Sequence, residues 1–299
     1  MKPTSLSSIA AFAVAILTLW ALAAPAASPR KVQFVGSYTW PSSAHNLGGF
    51  SGLELSDNGR DFTVISDRAG LFTGSFKRNG LRITGVSTGG PIRLRDPKGR
   101  ALKGWRADSE GLAIGPDGRV FVSFEGDHRV WSYTNHKRAA RVPSDKAFEA
   151  FQGNSGLEAL AIDAKGQLFA IPERSGKLTR PFPVWRYSGK RWTTPFSLRR
   201  DGGFLPVGAD FGPDGKLYLL EREFTGFGFR SRVRRFSLSN TQVKSEETLL
   251  ETNVWRHDNL EGLSVWRDAS GHIRLTMVSD DNFRKLQRTE FVEYRVLKN

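Results

Sequence analysis

The chain has no cysteine among its 299 residues. That excludes thiol nucleophiles, cysteine-held metals and disulfides, so packing alone must carry stability. Histidine is scarce as well: His45, His128, His136, His257 and His272 show no metal-ligand spacing such as HExxH. His128 and His257 adjoin acids near expected strand ends and are weak candidate bases, although surface polar residues are the plainer reading. No serine occupies a nucleophile elbow, because GGFSGL and GNSGL lack the second glycine of Gly-x-Ser-x-Gly. Helical periodicity is nearly missing: beyond the N-terminus only residues 144–151, SDKAFEAF, offer a turn or two, with Ser144 as cap. Acids are the minority charge, 30 against 44 Lys and Arg, for a net +14. This balance favours anionic partners, and an anionic small molecule is the expected substrate. The cations are scattered and no stacking aromatics alternate with them, which disfavours nucleic acid.

There is one long apolar run. Residues 1–27, MKPTSLSSIAAFAVAILTLWALAAPAA, give a lysine, an apolar core and small residues. Ala24-Pro25-Ala26 fits a signal-peptidase site, so residues 1–26 read as a signal peptide and 27–299 as one domain. The competing reading is an uncleaved anchor, for which the run is short. No twin arginine precedes it, which points to the general secretory route and a periplasmic or secreted protein. No stable membrane insertion is expected after cleavage, no organic cofactor, and a monomer.

What the chain has in abundance is a repeated phrase. Residues 155–174 read SGLEALAIDAKGQLFAIPER: an acid, an apolar strand, a polar glycine turn, a second apolar strand and a closing Glu-Arg pair. The phrase returns at 51–68, 109–125, 207–222 and 259–281. Its turn glycines Gly59, Gly118, Gly166, Gly215 and Gly271 are 59, 48, 49 and 56 residues apart, near the roughly 40–50 that four strands require. The fold class that follows is all-β: a β-propeller of five four-stranded blades, with a degenerate sixth left open by the two longer steps. The last repeat ends one strand short, and VQFVGSY at 32–38 has no blade of its own. The N-terminal strand is therefore expected to complete the last blade. Phe121, Phe169 and Tyr218 share one frame and are expected in the core between blades.

Acids recur in register with the strands. Glu110, Glu158 and Glu261 stand just before the innermost strand of three repeats, and Glu54 and Asp210 stand three positions later in the others. Innermost strands line a propeller's channel, so these five are candidate ligands of a hard divalent cation, Ca²⁺ first, with Glu110, Glu158 and Glu261 also as candidate catalytic acids. Asp67, Glu125, Glu173, Glu221, Asp280 and Asp281 end the second strands. Taken singly, each acid reads more readily as the partner of an arginine. Arg68, Arg174, Arg222 and Arg230 are candidate substrate-binding cations for phosphate or carboxylate.

The phrases FSGLELSDNGRDFTVISDR, DSEGLAIGPDG with FVSFEGDHR, GLEALAIDAKGQLFAIPER, GADFGPDGKLYLLERE with GFRSRVRRF, and DNLEGLSVWRD resemble the bacterial phytase-like esterase family of exported propellers, in order and over nearly the whole mature chain. The resemblance implies an esterase or phosphoesterase-like activity at the propeller centre, with calcium as in propeller phytases. It assigns no residue. Two other readings stand beside it: a non-catalytic periplasmic ligand-binding or scaffold propeller, and a lactonase-like metal hydrolase. For the last, only Asn282 and Asn154 offer the asparagine ligand.

Overall fold

A computed structural model describes residues 30–41, 47–151 and 156–298. Residues 31–299 form one compact unit; the expected signal peptide lies outside the described residues. The first strand, β1 (Val32–Thr39), stands apart in sequence from the rest of its sheet. The first blade follows as β2 (Phe50–Leu55), β3 (Asp61–Ser66), β4 (Gly70–Asn79) and β5 (Arg82–Thr88), with a short β6 (Ile92–Arg93) added to the edge of β4. The second holds β7 (Ser109–Ile114), β8 (Val120–Phe124), β9 (Arg129–Tyr133) and β10 (Ala140–Arg141). The third holds β11 (Leu157–Ile162), β12 (Leu168–Pro172), β13 (Phe182–Tyr187) and β14 (Trp192–Leu198). The fourth holds β15 (Leu205–Phe211), β16 (Leu217–Phe224), β17 (Phe229–Leu238) and β18 (Val243–Glu251). The chain closes with β19 (Asn259–Arg267), β20 (Ile273–Asp280) and β21 (Glu290–Val296).

The five sheets are the five expected blades, and the fifth is ordered β1-β21-β20-β19. β1 pairs antiparallel with β21 from Val32 opposite Val296 to Thr39 opposite Glu290. The N-terminal strand thus covers the edge that the last repeat would have left open. Among the described residues no sixth blade is formed. Each innermost strand packs on the next, β2 on β7, β7 on β11, β11 on β15, β15 on β19, and β19 on β2, which closes the ring.

Five apolar clusters fill the five clefts between neighbouring blades. Phe121, Phe169 and Tyr218 are all buried, each in a different cluster. The closing cleft is the most aromatic: Trp40 stacks on Phe50 and on Phe291 at 5.3 and 5.5 Å between centroids. The hairpins from innermost to second strand turn on the five repeated glycines, all with φ between 65° and 77°, a region closed to most side chains. The helical segment is shorter than the sequence suggests. It is a 3-10 turn over Lys146–Ala150, and its cap is Asp145, whose Oδ1 accepts from Ala147 N at 2.9 Å, rather than Ser144. A carboxylate one residue nearer the turn reaches the free amide and displaces the hydroxyl from that role.

Candidate functional site

All five innermost strands begin at one end of the ring, here called the upper mouth, and run to the lower. Each carries a bulge near its start: the pairing with the second strand skips Ser51, Glu110 and Gly111, Glu158, Val207 and Glu261. A bulge leaves its residue out of the ladder and re-aims its side chain, so the three glutamates owe their shared position to a shared backbone defect. Next to Ser51, Glu110, Glu158, Val207 and Glu261 come Gly52, Gly111, Ala159, Gly208 and Gly262, where the strands meet at the axis. A Cβ on Gly208 would sit 2.3 Å from the Glu261 carbonyl oxygen, and one on Gly262 would sit 2.9 Å from Leu53 N. The void left at this waist is only about 10 Å³. The channel is closed, and the two mouths are separate places.

The upper mouth gathers most of the anticipated acids. Burial and the neighbouring Glu158 and Glu261 push Glu110 well above the usual carboxylate range. Burial, Glu173 and Glu261 do the same to Glu158. Asp108, Glu110 and Glu125 each bring a carboxylate oxygen within 4.8 Å of the other two. Glu125 shares a hydrogen bond with Asp108, and burial with that neighbour raises it to about 7. Asp67 and Asp280 also rise, to about 7 and about 8, chiefly through burial. The Asp67 Oδ1 atom is buried without a hydrogen-bond partner. Such a set is like-charged and underneutralised.

One arginine serves this mouth from within. Arg222 donates to Asn259 Oδ1 at 2.7 Å and to the Glu261 carboxylate, and lies 3.6 Å from Glu173. Burial works against its charge, but Glu261, Glu158, Glu173 and Asp280 hold it protonated. Asn259 is buried and also donates to Glu261 at 2.8 Å. Of the two asparagines considered from the sequence, Asn282 lies in an exposed turn and Asn154 outside the described residues. The other arginines do not converge. Arg174 is exposed and pairs with Glu173 at 3.2 Å, and Arg68, also exposed, stacks 3.5 Å over the Phe283 ring. Arg230 is tied to Glu223 and Glu251 at 2.5 and 3.2 Å, and packs over Phe204. It belongs to the outer part of its blade.

The two weak candidate bases separate cleanly. His257 is buried with Nε2 2.7 Å from the Tyr294 hydroxyl, and burial pushes it down to about 4. It is a core residue. His128 sits beside Glu125: a Cβ added to Gly156 would meet His128 Nδ1 at 2.9 Å and Glu125 Cγ at 3.5 Å. Its Nδ1 is buried and unpartnered, and burial holds the ring neutral. Asp127 and His128 are both left-handed, at φ 66° and 34°, a costly backbone for two non-glycine residues in succession. Asp280 and Asp281 act partly as turn formers, accepting from Asn282 N at 2.6 Å and from Gly49 N at 2.9 Å.

Glu54 and Asp210 are not part of this group. Three residues further along their strands, about 10 Å on, they stand beyond the waist on the floor of the lower mouth. A cavity of about 1140 Å³ opens there, lined also by Asp163, Arg186 and Trp266. Glu54 Oε1 accepts from Ile114 N at 3.3 Å, and Asp210 accepts from Val265 N at 2.6 Å. Burial raises both, Asp210 to about 7, and Asp210 adds to the rise of Glu54. The five-acid cation sphere anticipated from the repeats is therefore divided by the glycine waist. Two other acids of the lower rim are turn formers: Asp163 Oδ1 accepts from Lys165 and Gln167 amides, and Asp268 Oδ1 from Ser270 and His272.

A family model described as phytase-like, esterase-like activity of phytase, matches residues 45–283. The chain belongs to this family. The matched span runs across all five phytase-like repeats, from the loop before β2 to the turn after β20. No curated protein matches the chain in sequence. Among solved structures it is similar to the PQQ-bound aldose sugar dehydrogenase of Streptomyces coelicolor, with 14% identity, 90% of this chain and 99% of that one covered, and a TM-score of 0.47. It is similar also to a protein of unknown function from Dyadobacter fermentans, with 12% identity, coverages of 82% and 75%, and a TM-score of 0.44. Virginiamycin B lyase from Staphylococcus aureus gives 11% identity, coverages of 89% and 100%, and a TM-score of 0.42. Within the phytase-like chain, the mouth residues that sequence reasoning overlooked are Asp108 and Asn259. Each directly precedes an innermost strand or opens it, in DSEGL and DNLEGL, so the repeat frame itself could have found them.

Proposed function

We propose that the upper mouth is a hydrolytic site for esters or phosphoesters, and that Asp108, Glu110 and Glu125 hold an oxygen-loving divalent ion there. The observation that carries this is their convergence beside a neutral histidine with an unpartnered nitrogen. An all-carboxylate donor set suits Ca²⁺ best, and the raised affinity of these groups for protons is what a missing positive charge produces. When bound, such an ion polarises a carbonyl or phosphoryl oxygen and acidifies its water. The residues supply the rest. His128 accepts a proton at Nδ1, and Glu125 beside it orients that exchange. Arg222, fixed by Glu261 and Asn259, offsets negative charge on the reacting group. With a single central arginine among so many acids, an anionic substrate is accepted only with the metal in place. Residues 1–26 direct the protein out of the cytoplasm.

The test is a hydrolysis screen over aryl phosphates, phytate, aryl esters and lactones, with Ca²⁺ and with chelator. Activity should need the ion. Glu110→Gln and Asp108→Asn should abolish the dependence, and His128→Ala should lower kcat by about 10²–10⁴. Glu54→Gln, beyond the waist, should leave it. A full panel of turnover in chelator, or none in any metal, removes the proposal.

A further inference from the structure

Eight large apolar side chains are exposed among the described residues, and six of them stand on the loops of the upper mouth. Trp105 precedes β7, Leu178 lies between β12 and β13, Phe224 and Phe227 are on the β16–β17 hairpin, Trp255 precedes β19 and Leu286 lies between β20 and β21. The tips are strongly exposed: Leu286 is 100% accessible, Phe227 83% and Trp255 73%. Single exposed apolar residues are common, but six of eight at one end is a concentration; of the other two, Leu81 is on the lower β4–β5 turn and Phe34 is in β1, both barely past half-buried at 41% and 39%. At the lower rim the turns between innermost and second strands carry Asp57, Asp117, Lys165 and Asp214, all polar.

Trp255 is held out deliberately. Its backbone is left-handed at φ 68°, its amide bonds Phe229 O at 3.2 Å, and its indole lies on Gly228, where a Cβ would come within 2.8 Å of the ring. The hairpin and the tryptophan therefore present one rigid aromatic point. Nearly every tip is flanked by exposed cations. Lys103 stands two residues before Trp105, and Lys177 and Arg180 bracket Leu178. Arg256 follows Trp255, and Arg284, Lys285 and Arg288 surround Leu286. The acids of these loops are largely spoken for, Asp127 by Arg106 at 3.3 Å and Glu223 by Arg230 at 2.5 Å. The carboxylates of the mouth are recessed at the axis, inside this ring.

We infer that the upper face seats on an anionic lipid surface, its aromatic and leucine tips entering the headgroup layer and its flanking cations meeting lipid phosphates. A protein interface would want its apolar residues contiguous at a centre. Here they are separate points around a polar opening, each with its own cations, which is the pattern of interfacial binding. The inference does not depend on the hydrolytic reading: it concerns the rim, and it stands if no ester is turned over.

The experiment is co-sedimentation and hydrogen–deuterium exchange of the full chain with phosphatidylcholine vesicles, with and without phosphatidylglycerol. Anionic vesicles should bind the protein and slow exchange at 104–107, 176–180, 224–229, 253–257 and 283–288, and leave the lower turns unchanged. Exchange at these loops separates rim binding from any attachment through the apolar N-terminal run. Phe227→Ser/Trp255→Ser/Leu286→Ser should reduce the rim-protected fraction by about ten-fold or more, and Lys177→Glu/Lys285→Glu should do so most at low salt. Both variants are at exposed positions and should keep the parent Tm. Absence of rim protection on anionic vesicles overturns the inference. So does protection that is indifferent to both variants, or protection that grows with protein concentration in the absence of lipid, which would assign the face to a second copy.

Discussion

At the scale of single residues, the five repeated frames put chemically similar side chains to opposite uses. Glu221 shares the sequence frame of Glu125 and Glu173, yet β16 runs on past it to Phe224 and it is fully buried between Arg232 and Arg234, at 2.8 and 2.5 Å, away from solvent and the mouth. A stranded buried charge is costly, so Glu221→Ala should cost about 3–5 kcal/mol, read as a denaturant midpoint shift. Glu173→Ala, whose arginine partners keep some access to water, should cost far less. Phe169 fills the cleft between the third and fourth blades at 4% exposure, and Phe169→Ala should likewise cost about 3–5 kcal/mol. A loss under about 1 kcal/mol would show that the cleft collapses around the gap. The frame of Glu110, Glu158 and Glu261 was legible because a period places equivalents at one level. The ownership of the arginines was not, since Arg222 and Arg230 are eight residues apart on one hairpin and only the register of β16 against β17 sends one inward and the other outward.

At the scale of elements, the strands were legible from alternation and turn glycines, and so was the closing of the ring from a blade short of one strand and a strand short of a blade. Deleting residues 32–38 should expose the β21 edge and strip cover from the closing cleft, where Trp40 would lose its tether to Thr289. The expected result is a large fall in Tm with gain of aggregation; trimming residues before Arg30 should change neither. An unchanged Tm in the first deletion would mean the ring holds without its seal. The division of the acids into two mouths was harder to see. It depends on a bulge and a glycine only one or two residues long, and a pattern of period two does not register a single unpaired residue.

At the scale of the whole molecule, a chain of net charge +14 gathers under-neutralised carboxylates at its axis, while others, such as Glu221, lie buried against arginines within the blades. This arrangement has a definite pH signature. Asp67, Glu125 and Asp210 are raised to about 7 and Asp280 to about 8, chiefly by burial. A carboxyl whose folded value exceeds its unfolded one binds its proton more tightly when folded, so stability grows as pH falls from the folded value toward the ordinary one near 4. His257, pushed down to about 4, acts in the opposite sense, since the unfolded chain takes up its proton first, from about pH 6.5 downward. Between pH 8 and about 6 the raised acids outnumber the histidines that oppose them, His257, His128 and His136, and the metal-free protein should gain Tm on acidification, against the usual trend for salt-bridged domains. Asp210→Asn isolates one contributor far from the upper mouth. The amide oxygen can still accept from Val265 N, and the variant should be more stable than the parent at pH 8, by about 1.4 kcal/mol for each pH unit separating the folded and unfolded values of Asp210, with the advantage gone by pH 4. Ca²⁺ should substitute for the protons at the upper mouth alone, raising Tm at pH 8 more than at pH 6 in parent and Asp210→Asn alike. Calorimetry of both chains across pH 8 to 5, in chelator and in Ca²⁺, reads all of this, and a parent Tm that is flat or falls from pH 8 to 6 in chelator would show that the axial carboxylates are already neutralised by their own arginines.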